Sequence, residues 1–238
     1  MSQNPNFFLS IGKPVKDEYG RVVGKVASFA LTPSGKFDAV YIELGDGKFL
    51  KNSVEYLRFD GDNVTLISKI KLRTNVLCDQ IPLIWRKDQA LKELSEKKKI
   101  SEELYQELHS NFDGALNQLK GEAQSLINEI DREIAKCINA TRELNYALVN
   151  LEIEHEIGQI DDQSYSTAFS LIQENLRRVN TEKSDLEQMK NKLSNIVLGE
   201  NLNPKLEEPA KPSVTETSPE LPEPPVVVYV KEIGKVGM

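Results

Sequence analysis

The chain has 238 residues, 39% hydrophobic and 28% charged, with a formal net charge of −7. An acidic balance gives no general attraction for nucleic acid or acidic lipid, and the mix suits exposed helices better than one compact globule. Two lone cysteines, Cys78 and Cys137, exclude a disulfide framework and lack metal-like spacing, which points to a reducing, intracellular setting.

The N-terminal run Met1–Leu9 has neither the basic region nor the apolar core of a signal peptide. No stretch approaches the ~20 apolar residues needed to cross a bilayer, so a cytoplasmic protein with at most peripheral membrane contact is expected. Phe7-Phe8-Leu9 suits either a membrane interface or a first strand, and the strand is favoured. Residues 7–78 then read as short strands between turns. The turn signals are Asp17-Glu18-Tyr19-Gly20, Pro33-Ser34-Gly35, Gly45-Asp46-Gly47-Lys48 and Asp60-Gly61-Asp62-Asn63. Strands are predicted over Val22 to Leu31, Asp38 to Leu44, Val54 to Phe59 and Val64 to Ile67. In the second run Val40, Ile42 and Leu44 share one face, the period of a half-buried strand. Such spacing predicts a small barrel or sandwich. The pattern Ile11-Gly12-Lys13-Pro14-Val15, followed by Asp17, Gly20 and Gly24-Lys25-Val26, resembles the opening of the PRC-barrel family. That resemblance implies a small β-barrel and names no function.

Residues 82–198 read as helical. Apolar residues recur mostly at alternating intervals of four and three, the seam of a coiled coil: Leu116, Leu119, Leu126, Ile130, Ile134, Leu144, Leu148 and Leu151. A break near 158–161, with Gly158 as stop and Asp161 as cap, separates a second seam of Phe169, Ile172, Leu176, Val179, Leu186 and Leu193. Two helices so joined should fold back as a long antiparallel hairpin. An internal echo, Lys99-Ile100-Ser101 against Gln159-Ile160-Asp161, places an N-cap at each helix start.

Seven of the 11 prolines lie between 204 and 225, so residues 199–224 are expected to be a disordered, acidic linker. Beyond it, residues 225–238 form a β-prone strand with no neighbour of its own. Val226, Val228 and Val230 share one face, with Val227, Tyr229 and Ile233 largely on the other. An unpaired apolar strand is an aggregation hazard, so this one is expected to add to another protein's sheet edge. The alternative is that it returns to close the chain's own barrel, which the leash would permit.

No catalytic constellation, metal site or cofactor motif is legible, and a non-enzymatic docking protein is expected. His109 and His155 stand 46 positions apart without ligand-type company, and Gly45 to Lys48 lacks the pattern of a phosphate loop. Lys97-Lys98-Lys99 could meet phosphate, but a solvated helix end is the favoured reading.

The order of these four parts resembles the CdvA family of archaeal cell-division proteins. In that family the terminal peptide is an ESCRT-III-binding strand, carried here by Pro225, Val226, Val227, Val228, Tyr229, Val230, Lys231 and Ile233. The resemblance implies that this strand completes the winged-helix sheet of the ESCRT-III-like protein CdvB. It also implies self-association of the coil into filaments at mid-cell, on the cytoplasmic membrane face. DNA contact is a further expectation, weakly supported by a barrel region with 11 Lys/Arg against 9 Asp/Glu over residues 1–79. The alternative is a ribosome-maturation or chromosome-associated adaptor carrying a PRC barrel and a coiled-coil oligomerisation region.

Overall fold

The computed structural model describes residues 7–60 and 63–199. The expected strand peptide, and all of the expected linker beyond Gly199, lie outside the described residues.

Six strands form one sheet: β1 (Pro14–Asp17), β2 (Val22–Leu31), β3 (Phe37–Leu44), β4 (Phe49–Ser53), β5 (Leu57–Asp60) and β6 (Asn63–Leu66). Their order is β4-β3-β2-β1-β6-β5, antiparallel except for the parallel pair β1 and β6. The expected barrel is not closed, because the end strands β4 and β5 do not pair with each other. The chain between them is a 3-10 turn, Val54–Tyr56, started by Ser53 accepting from the Glu55 amide. That turn replaces the first half of the strand predicted over Val54 to Phe59. Val15, Val26, Val40, Ile42 and Val64 fill the sheet's buried face together with Phe29 and Leu57. Gly24 is fixed by close approach, since a Cβ there would lie 2.1 Å from the Glu43 carbonyl oxygen.

Phe7 to Ser10 is a 3-10 turn, not the expected first strand. Aromatic packing decides this. The Phe7 ring lies 4.4 Å from Phe59 and 4.9 Å from Phe37, centroid to centroid, and so covers one end of the sheet's core.

Three helices follow: α1 (Lys69–Glu96), α2 (Glu102–Glu156) and α3 (Asp162–Leu198). Helix thus begins at Lys69, earlier than the boundary drawn at 78–82, and runs through Pro82. The hairpin expectation needs the same correction, because α1 joins it as a third helix. Ile70, Leu77 and Ile81 of α1 share one core with Leu126 and Ile130 of α2 and Leu193 and Ile196 of α3. Truncating any fully buried member to alanine should cost about 2–5 kcal/mol. Cross-helix pairs show that α2 is antiparallel to both neighbours. Arg73 meets Glu129 at 2.5 Å, Asp88 meets His109 at 2.6 Å, and Lys190 meets Asp131 at 2.6 Å.

The two helix-to-helix turns repeat one design, 60 positions apart. Ser101 accepts from the Leu104 amide, and Asp161 accepts from the amides of Gln163 and Ser164. Ile100 with Tyr105, and Ile160 with Tyr165, occupy hydrophobic-staple positions, and all four are half-buried. Each preceding helix ends through a left-handed residue, Lys98 (φ 54) in one turn and Gly158 (φ 73) in the other. The amides of Lys99 and Gln159 then reach the carbonyls of Leu94 and Glu154.

Candidate interaction surfaces

The helical region has a thick middle and thinner ends. On α2, Leu116, Leu126 and Ile130 are buried, while Leu119, Ile134, Leu144, Leu148 and Leu151 are half-buried. On α3, Val179, Leu186 and Leu193 are buried, while Phe169, Ile172 and Leu176 are half-buried. No residue between Cys137 and Val179 is fully buried. The reason is geometric: α1 covers only the part of α2 that lies away from the α2–α3 turn, so near that turn α2 and α3 pack as a simple pair. At that turn, Tyr165 stacks on His155 with centroids 4.0 Å apart and donates to Glu152 at 2.8 Å.

Both histidines make polar contacts with aspartates. His109 bonds Asp88 across α1 and α2, and His155 bonds Asp162 at 2.9 Å. Among the described residues, no group of three His, Cys, Asp or Glu side chains is placed to hold a metal ion. None of the described helices is long and apolar enough to cross a membrane. Burial raises the pKa of both thiols, Cys78 and Cys137, so they stay protonated at neutral pH.

The β1–β2 turn has a role that the sequence did not reveal. Its residues dock the sheet on the helices through polar contacts. Arg21 reaches Glu182 of α3 at 2.7 Å while also bonding Asp17 of its own turn. Glu18 accepts from the Ser68 amide at 3.1 Å and from Lys71 of α1 at 2.6 Å. Burial first, then the Asp185 and Glu182 carboxylates, push the Tyr19 phenol far above its ordinary range. Elsewhere on α1, Leu72, Val76 and Leu77 line an open groove of about 420 Å³ with Tyr56 and Glu122. Its apolar floor and scattered charges assemble no reactive pair.

A family model described as the CdvA-like coiled-coil domain matches residues 71–217. The chain belongs to the CdvA-like family. The match starts two residues into α1, so the family's domain takes in all three helices and not only the α2–α3 hairpin. This CdvA-like chain is also 24% identical over 194 residues to Cell division protein A of Sulfolobus acidocaldarius, an alignment covering 78% of each chain. Family and relative together support a role in cell division.

Proposed function

We propose that this CdvA-like chain is a non-enzymatic scaffold of the division apparatus that self-assembles through its helices and displays its C-terminal strand to an ESCRT-III-like partner. The observation that carries the reading is the order of parts along the sequence. A sheet and long helices are followed by a Pro- and Glu-rich stretch, and that by the β-prone segment from Pro225 to Ile233. A strand peptide on a leash supplies main-chain hydrogen bonds and alternating side chains to an open sheet edge. The recipient is the winged-helix domain of CdvB, and the place is mid-cell on the inner face of the membrane. Burying four or five such side chains offers roughly 8–12 kcal/mol gross, and ordering the peptide takes back much of it. The resulting weak contact suits recruitment by an array, where neighbouring tails raise the effective concentration.

The test is a calorimetric titration of a peptide of residues 222–238 into the purified winged-helix domain. Saturable one-to-one binding that Val228→Asp removes is the expected result, because a charge cannot be buried there unpaired. No binding, together with a less stable N-terminal sheet when 225–238 are deleted, would return the strand to the chain's own fold.

A further inference from the structure

Helix α2 carries a second seam that nothing in the described structure covers. On a coiled-coil hairpin the positions facing away from the partner helix are normally charged. In the part of α2 near the α2–α3 turn they are instead Tyr146, Val149 and Ile153, which are 58%, 55% and 50% exposed. Their spacing of three then four repeats the rule that builds the buried seam. The same phase continues to Arg142 at one end and Glu156 at the other, both exposed. Among the described residues, the ion pair of Arg142 is with its sequence neighbour Glu143, at 4.0 Å.

That charge arrangement identifies the occupant. Arg142 and Glu156 each lie seven residues from Val149. Two copies of the helix crossing antiparallel at Val149 therefore bring Arg142 of each against Glu156 of the other. Tyr146, three residues before the centre, meets Ile153, four residues after it. Parallel pairing would instead set arginine on arginine and glutamate on glutamate, which costs stability. A surface basic at one end, acidic at the other and apolar between is complementary to itself about a two-fold axis. The paired stretch spans about 21 Å at ~1.5 Å per residue.

We propose that this stripe is an isologous self-association surface, where a second copy of the chain packs antiparallel with Val149 on the two-fold axis. The inference rests on the scaffold reading above and supplies one of its contacts. In the full chain, Val149→Cys should form a disulfide with itself on mild oxidation, whereas the wild type, whose thiols are buried and protonated, should not. Arg142→Glu and Glu156→Arg should each weaken self-association roughly ten-fold in sedimentation equilibrium. The double variant should restore it, since the reversed pair is again complementary, and helicity should be unchanged throughout.

Self-association equal to wild type in both single variants, without the Val149→Cys cross-link, would overturn this interface and leave the scaffold reading standing. Single variants that weaken association without rescue by the double would also overturn it. A wild type that stays monomeric at every concentration would remove both the interface and the self-assembling half of the scaffold. Protection of Val149→Cys from a thiol reagent, with no cross-link and lost on deleting 225–238, would give the stripe to the chain's own tail and likewise overturn the proposal.

Discussion

Arg21 and Glu182 are 161 positions apart in sequence, yet the Arg21 Nη1 lies 2.7 Å from the Glu182 Oε2. The pair joins the sheet's first hairpin to the last helix. Both side chains remain partly exposed, so screening discounts the attraction and a coupling of about 1 kcal/mol is expected. A double-mutant cycle of Arg21→Ala and Glu182→Ala in urea should return a coupling of that size, shrinking in high salt. Strict additivity would mean that the sheet is held by its other contacts alone.

The neighbouring Tyr19 makes the same joint sensitive to alkali. Its phenol pKa is raised in the folded chain by burial and by the Asp185 and Glu182 carboxylates. The folded state therefore holds this proton more tightly than the unfolded state does. That contribution is fully present below the unfolded value near 10 and is lost as pH climbs above it. Ultraviolet titration of the seven tyrosines should show a late-ionising group that Tyr19→Phe removes. Tyr165 should also ionise late, through its hydrogen bond to Glu152, and should be unaffected by that change.

Lys98 occupies the left-handed position that Gly158 fills in the matching turn. A side chain there pays a steric cost that glycine avoids. Lys98→Gly should raise stability by about 0.5–1 kcal/mol, and Gly158→Ala should lower it by about 1 kcal/mol. Urea midpoints at unchanged m-value would show both. A Lys98→Gly protein less stable than wild type would contradict the account of the turn.

Gly24 should tolerate no side chain. Its Cβ would collide with the backbone carbonyl of Glu43, which cannot swing aside as a flexible side chain could. Gly24→Ala should destabilise the sheet by about 1–3 kcal/mol. Amide exchange should accelerate in β2 and β3 while the distant end of α2 keeps its protection.

What was legible in the sequence was whatever short-range pattern dictates. The strand read over Val22 to Leu31 has those bounds in the structure, because turn residues flank a clear β-rich run. The Ser101 and Asp161 caps were readable for the same reason: a cap is a local bond. The first half of α1 was missed, and with it a third packed helix, although α1 carries its own four-three repeat, Ile70, Thr74, Leu77, Ile81, Ile84, Asp88 and Leu91. Two polar members and Pro82 hide that repeat from an apolar count. Thr74 is nonetheless buried, and Asp88 finds His109 across the helices. The open sheet, the Phe7 turn and the docking of Tyr19 and Arg21 were not legible. Each depends on groups brought together only by the fold, and periodicity carries no trace of such meetings.

The repeated turns at the two ends of α2 make that helix a counted length. Fifty-five residues at ~1.5 Å each give about 82 Å between ends that present nearly the same cap, staple and stop. A rigid distance of this kind is written in residue number, so it should change in steps and not continuously. Removing seven residues from α2 and the seven facing them on α3 would keep the seam in phase and shorten the span by about 10 Å. Removing four would break the four-three alternation and distort the supercoil locally. The distance between the two turns is therefore set by residue count and can change without breaking the seam only in heptad steps.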